Sequence, residues 1–396
     1  MSTDRVSESS RRRLVLAVLA LVSLTIAYST LAMAPLLVQM ADEYDVSVGR
    51  AGLATAAYGL PGAVLGVFPG PWSDRYGRKR FLVSGLLVLG FGHLATALAP
   101  DLGLMMSARL LTGLGFALAA SSVQATIADH FDYAHRGRAV AVVMGAGAVM
   151  SFVGVPLSGI LADLTTWRVS VGMVGVLAML AFIVTAAVLP RSRPTAGAVS
   201  NWKLYRMVVG RRPLLVLLSV GFVAALQWMI WAAYVVVFFQ VTFGLSQSAA
   251  SLASVTSGLG ALIGSQFAGW LGDRVGHRRV LGVALAVASA VSFALTSAPV
   301  GLVAAALLNS VLAGTVGARN VTHTALLTEE LPSARATVMS IWASMTAASV
   351  LLGSTIGGLI LDAFGFWLLG PCCCALSTLS AVALRWYRQD QSAERS

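Results

Sequence analysis

Apolar runs of twenty or more residues recur along this chain from Leu14 to Trp386, separated by short polar breaks. Inside a bilayer no water satisfies the backbone N–H and C=O groups, so a spanning segment must satisfy them itself. A helix does this, and about 20 apolar residues carry it across the hydrocarbon core. The runs therefore predict an all-α polytopic membrane protein. A soluble domain has about a quarter of its residues charged, whereas only 11% of these 396 residues are. Twelve spans are expected, at residues 14–40, 50–70, 81–99, 103–127, 139–162, 168–190, 213–240, 249–271, 280–297, 300–328, 337–361 and 364–386.

The opening "SSRRR" precedes a run from Leu14 to Met40. That run outlasts the roughly 7–15 apolar residues of a signal peptide, so it is expected to stay as the first span. The longest polar break is "RSRPTAGAVSNWKLYRMVVGRR", residues 191–212. It reads as a linker, with a short amphipathic helix lying on the membrane. The expected organisation is a tail at 1–13, a six-helix bundle at 14–190, the linker at 191–212, a second bundle at 213–386 and a tail at 387–396.

A net charge of +11 would suggest a nucleic-acid partner in a soluble protein. Here the positions of the charges explain it. With the N-terminus inside, the 27 Lys and Arg fall on inward segments except for four. Arg50 and Arg168 fall outside, and Arg109 and Arg319 lie within spans. Basic residues gather on the cytoplasmic side of membrane proteins. Both termini are thus expected in the cytoplasm of a multi-pass protein of the inner (plasma) membrane, with no nucleic-acid partner. Cys372, Cys373 and Cys374 lie together in an apolar run, a spacing that suits neither a metal site nor a disulfide framework. The five histidines are scattered, and no G-x-S-x-G or H-E-x-x-H occurs. No enzyme, metal or cofactor is expected.

The chain repeats itself. One shift of 199 positions pairs Gly70 with Gly269, Asp74 with Asp273, Arg75 with Arg274, Gly77 with Gly276, Lys79 with Arg278 and Arg80 with Arg279. The same shift pairs Arg136 with Arg335, Gly154 with Gly353, Gly159 with Gly358 and Asp163 with Asp362. One register across two halves of six spans is the mark of a parallel internal repeat.

"GPWSDRYGRK" at residues 70–79 resembles the G-x-x-x-D-R-x-G-R-[RK] loop of the major facilitator superfamily, and "GWLGDRVGHRR" at 269–279 is similar to its second-half copy, with His277 in place of Arg78. The resemblance covers essentially the whole chain. It implies twelve helices in two parallel-repeat six-helix bundles, working as a monomer. It also implies that Gly70, Asp74, Arg75, Gly77, Arg78 and Lys79, with Gly269, Asp273, Arg274, Gly276 and Arg278, form an inner latch that holds when the protein opens outward. The residue chemistry agrees. Glycine permits a tight turn, the Asp can accept from a helix N-terminus or pair with an arginine such as Arg136, and the basic run anchors the loop at the inner face.

"RLLTGLGFALAA" resembles the R-x-x-x-G-x-G-x-A pattern of exporters, carried by Arg109, Gly113, Gly115 and Ala117. A charge within a span is costly and marks function by default. The family implies proton or charge coupling at Arg109. "GVPLSG" is similar to the antiporter signature G-P-x-x-G-G through Gly154, Pro156 and Gly159, with the proline displaced by one. These pieces point to the drug and sugar efflux (drug:proton antiporter-like) branch.

Substrate sites in such folds lie near the midplane between the halves. Arg319, Asn320 and His323 sit on one stretch of the tenth span, with Arg319 and His323 four apart on one face. Gln227, Trp231, Tyr234 and Phe238 recur at helical spacing in the seventh. Such a face suits a cavity; tryptophans near span ends also serve as interfacial anchors. Tyr28 and Gln124 are further candidates. None of the sixteen Asp and Glu lies deep in a span. A cavity with Arg109, Arg319 and His323 is expected to favour anions or neutral molecules. Proton coupling would run through His323, whose ordinary pKa is near physiological pH, or through the outer cluster near Asp42. His93 reads as a packed polar residue.

The expected function is alternating-access export of a small, drug-like, neutral or anionic organic molecule, with protons as the coupling ion and the lipid bilayer as surroundings. The alternative is an importer or exchanger of an organic anion or sugar.

Overall fold

The computed structural model describes residues 2–66, 68, 73, 77–131, 133–190, 202–331 and 334–387. Among them every regular element is helical. The first half holds α1 (Ser2–Leu31), α2 (Leu37–Glu43), α3 (Val48–Leu65), α4 (Arg78–Leu98), α5 (Leu102–His130), α6 (Tyr133–Leu164) and α7 (Trp167–Val188). A short helix in the expected linker, α8 (Trp202–Gly210), leads into the second half. That half holds α9 (Arg212–Ala232), α10 (Val235–Phe243), α11 (Gln247–Val275), α12 (His277–Ser297), α13 (Leu302–Glu330), α14 (Arg335–Phe364) and α15 (Phe366–Ala383).

Counting α1–α2 and α9–α10 as one pass each, the described residues make twelve passes, six per half. Ten are long and apolar enough to cross a membrane. The other two, α3 and α11, are rich in Gly and Ala, and α11 also in Ser. Small residues let helix backbones approach closely, and these two helices carry the seams between the halves. There α3 packs on α14, and α6 packs on α11.

Two expected spans are broken. The first bends after Leu31 through a 3₁₀ turn at Ala34–Leu36, where Pro35 removes a backbone donor. The seventh breaks between Ala232 and Val235. The 199-residue shift superposes the two breaks. By contrast, α6 runs unbroken through Pro156.

One face of the molecule bears the basic loops and is called here the basic face; the other is the far face. On the basic face Gly77 and Gly276 adopt φ of 99° and 94° and cap α4 and α12. Side chains rarely adopt that region, which explains the glycine in both copies of the loop. Near the far face one apolar cluster crosses between the halves, joining Met33, Leu36 and Leu37 to Tyr234 and Val237.

Candidate transport pathway

The far face is closed by two matched contacts. Asp362, near the end of α14, accepts from the Gly49 amide at 2.9 Å and the Ser47 hydroxyl at 2.5 Å, at the start of α3. Asp163, near the end of α6, accepts from the Ser248 amide at 2.8 Å, at the start of α11. Ser47 and Ser246 cap these helices in the same way, accepting from the Arg50 and Ala249 amides. Each carboxylate therefore meets the positive end of a helix in the opposite half. Asp163 with Ser248 becomes Asp362 with Gly49 under the internal shift, so the closure is two-fold. Glycines bring the seams together. A Cβ on Gly159 would stand 2.1 Å from Ser251 Oγ, and one on Gly358 would stand 2.7 Å from the Gly49 carbonyl.

Below this closure lies a cavity of about 250 Å³ between the halves. Its walls are Thr30 and Met33 of α1 and the turn after it, Thr55 and Tyr58 of α3, Val155 of α6, Trp228, Met229 and Ala232 of α9, Ser254 and Ser257 of α11, and Ser354 of α14. The lining is mostly apolar, with hydroxyls at intervals. The shift of 199 pairs Thr30 with Met229, Met33 with Ala232, Thr55 with Ser254, Tyr58 with Ser257 and Val155 with Ser354. The cavity thus lies on the axis that relates the halves.

A polar cluster backs the first-half wall. The Thr30 and Tyr58 hydroxyls are 3.0 Å apart. The Arg109 guanidinium lies over the Tyr58 ring at 4.7 Å and donates from Nε to the Ala54 carbonyl at 3.2 Å. Arg109 is 0% exposed, and its two terminal nitrogens have no partner among the described residues. His93 Nε2 lies 2.7 Å from the Ser29 hydroxyl, next to Thr30.

The other expected substrate residues do not line this cavity. Tyr28 is packed between α1 and α6, accepting from Ser158 at 3.2 Å, with Gly154 leaving room for its ring. Gln227 donates to Ser292 at 3.3 Å, and Trp231 donates to Asn309 at 3.0 Å. The Tyr234 hydroxyl donates to the Ser354 carbonyl at 2.7 Å. Arg319, 6% exposed, donates to Asn320 within the second half. His323 Nε2 lies 2.9 Å from the Leu217 carbonyl, with its ring 4.5 Å from Trp342. No arginine or histidine is among the described residues that line this cavity. Arg109 and His323 turn into their own bundles, where the Ala54 and Leu217 carbonyls of neighbouring helices meet Nε and Nε2, and Arg319 bonds to Asn320 on its own helix. Gln227, Trp231 and Phe238 of the seventh span are likewise bundle interior, while Tyr234 sits at the seam, beside Gly52 of α3. Gln124 lies on α5, but its side chain is outside the described residues.

In the repeated basic loops, Gly70, Asp74 and Arg75 lie outside the described residues. Arg78 pairs with Asp129. Lys79 donates to the Ala186 carbonyl at 2.7 Å, at the end of α7. Arg278, its counterpart, donates to the Leu384 and Arg385 carbonyls, both at 3.4 Å, past the end of α15. The shift of 199 superposes Ala186 on Arg385, so both cations satisfy the negative end of the last helix in their own half. Asp273 is 3.7 Å from His277, and Arg274 lies over the Trp270 ring at 4.0 Å. Gly269 faces Val321 at the width of an ordinary contact.

Comparison with known proteins agrees with this architecture. The family model of the Major Facilitator Superfamily matches residues 17–246 and 216–396. The uncharacterised MFS-type transporter YceJ of Bacillus subtilis (strain 168) is 24% identical over 339 residues, 85% of either chain. The probable efflux pump mfs2 of Aspergillus flavus is 34% identical over 144 residues, 34% of this chain and 32% of the pump. The crystal structure of the nucleoside transporter NupG matches with a TM-score of 0.78 at 14% identity, covering 94% of this chain and 99% of that one. That last likeness is one of fold. With the repeat, the twelve passes and the duplicated loop, these matches show a membrane transporter, not an enzyme: the chain belongs to the Major Facilitator Superfamily.

Proposed function

We propose that the protein exports a small organic molecule, neutral or anionic, across the cytoplasmic membrane in exchange for protons. The basic face is then cytoplasmic, with both termini, and the halves at 14–190 and 213–386 rock about the shared cavity as a monomer. One observation carries the substrate class. Arg109 sits uncompensated behind Tyr58, and no described Asp or Glu lies in the apolar middle of a helix. A buried charge without a counter-charge acts strongly through a low dielectric, so a cation in the cavity is disfavoured. Export is supported by the exporter-like run around Arg109 and by the likeness to a probable efflux pump.

The test uses everted membrane vesicles energised to an acid interior, with the gradient followed by fluorescence quench. A panel of organic anions, neutral molecules and cations is added. A neutral or anionic compound is expected to dissipate the gradient only when this protein is present. No response across the panel would count against antiport and favour an importer or exchanger instead.

The cavity itself makes a second expectation. Tyr58→Phe keeps the ring over Arg109 but removes the hydroxyl shared with Thr30. A hydrogen bond of about 1.5 kcal/mol corresponds to about a tenfold change. Transport by Tyr58→Phe is expected to fall about tenfold at low substrate, with folded yield unchanged; a wild-type rate would remove Tyr58 from the site.

A further inference from the structure

The internal repeat provides a control within the molecule. Each residue in the α3/α14 seam has a counterpart, shifted by 199, in the α6/α11 seam. Near the far face the two seams agree. Gly49 is tight against Gly358, and Gly159 is tight against Ser251 and Gln247. They agree again midway. A Cβ on Gly59 would meet the Leu351 amide at 2.8 Å, and one on Gly258 would meet the Phe152 ring at 2.9 Å.

One turn nearer the basic face they part company. In the α3/α14 seam a Cβ on Gly62 would meet Ala347 at 2.8 Å, and one on Gly66 would meet Ser344 at 2.6 Å. The counterparts of these residues are Ala261 with Ala148, and Ser265 with Gly145. Ala148, Ala261 and Ser265 line an open cleft of about 610 Å³, and a Cβ on Gly145 would meet nothing within 4 Å. One seam is shut at this depth and the other is open, so the opening points sideways.

We propose that substrate enters the cavity laterally from the bilayer, through this cleft between α6 and α11, in the leaflet on the basic face. The substrate is then an amphipathic molecule that partitions into lipid. This rests on the export reading of the cavity and refines it. Three observations support it. The cleft and the central cavity share Gly258 and Ala261, so the two adjoin there. The cleft's edges are apolar: Ala148 and Phe152 on α6 and Leu262 on α11 line it, and Leu262 is 44% exposed. Such edges suit acyl chains better than water. The inner wall is polar, with Ser265, Asn320 and Thr324, and Asn320 accepts from Arg319 behind it. A neutral or anionic headgroup fits that wall while its tail stays between the edges.

The test needs no substrate, so it can fail while export stands, and the vesicle assay can fail while it stands. The full chain, with Cys372, Cys373 and Cys374 replaced by alanine, is placed in phosphatidylcholine nanodiscs. Single cysteines Ala261→Cys, Ile263→Cys and Ala347→Cys carry a bimane label. Quenchers are phosphatidylcholine with a nitroxide high on the acyl chain, and aqueous iodide. Lipid is expected to quench the Ala261 site at least about half as strongly as the lipid-facing Ile263 site, and to leave Ala347 in the closed seam unquenched. Adding Ala148→Trp to plug the cleft is expected to restore the Ala261 signal. Should Ala261→Cys not fold, Ser265→Cys, one turn along the same wall, gives the same readout. Quenching at Ala261 by iodide alone would mean a cleft open to water only and would overturn the proposal, as would quenching by neither.

Discussion

The Asp163→Asn/Asp362→Asn double variant is expected to unlock the far face. In the wild type Ser251 is buried against Gly159, beyond reach of water. A Ser251→Cys reporter, in a background lacking the three native cysteines, is therefore expected to react slowly with a membrane-impermeant maleimide. With both aspartates changed it should react about 30-fold faster. The reasoning is electrostatic. Each carboxylate accepts from the amino end of a helix in the opposite half. Charge-assisted hydrogen bonds contribute about 1.5–3 kcal/mol, and a charge at a helix N-terminus about 0.3–1 kcal/mol. Asparagine keeps an acceptor but loses the charge, so about 1 kcal/mol is lost per site. Two sites together give about 2 kcal/mol, near a 30-fold shift between closed and open far faces. The single variants are expected to differ. Asp362 takes a second bond, from Ser47, so Asp362→Asn should open the far face more than Asp163→Asn. Equal labelling in all four proteins would show that glycine packing alone holds the seam.

The sequence marks the residues of that closure but not their role. Gly159 with Gly358 and Asp163 with Asp362 already stand out as pairs under the shift of 199. The passes were legible for a plain reason, since apolar length is a one-dimensional property. The cavity was harder. In a water-soluble helix the polar face marks solvent, but in a chain that is 57% hydrophobic both the bundle interior and the cavity wall are apolar. Trp231 and Gln227 therefore looked like a binding face, although they bond to Asn309 and Ser292 inside the bundle. Trp228 and Met229, next to Gln227 on the same helix, are the side chains that reach the cavity. The missing signal was again the repeat. Residues of equivalent helices that face each other across the axis must be related by the shift, and Thr55 with Ser254 and Tyr58 with Ser257 are. Arg319 carries the converse lesson. Its counterpart is Ala120, and the structure places it in the interior of one half rather than on the axis.

Gly113→Val is expected to cost both stability and transport, and the reason ties Arg109 to its surroundings. A Cβ at Gly113 would stand 2.1 Å from the Tyr58 carbonyl oxygen, a backbone atom that cannot swing aside. One turn earlier on the same face, Arg109 reaches the Ala54 carbonyl at 3.2 Å, one turn before Tyr58 on α3. The spacing R-x-x-x-G thus places a cation and the gap that admits it on one helix face. Valine would force α5 away from α3 and pull Arg109 from both the carbonyl and the Tyr58 ring. Overpacking costs about 1–3 kcal/mol, and an uncompensated buried charge adds about 3–5 kcal/mol when its partners are lost. The variant should show a lowered thermal midpoint in detergent and at least about a 100-fold loss of transport. Arg109→Met separates the two roles. It removes the buried charge while filling the space, a change that is often neutral for folding, so the thermal midpoint should hold while the discrimination against cations is lost. If the glycine exists to admit the arginine, the two substitutions are coupled. Gly113→Ala should then destabilise the Arg109→Met protein less than it destabilises the wild type, by a coupling energy of about 0.5–3 kcal/mol. Strict additivity would mean that the close approach of α5 and α3 serves packing alone, and that the charge behind Tyr58 is held by other means.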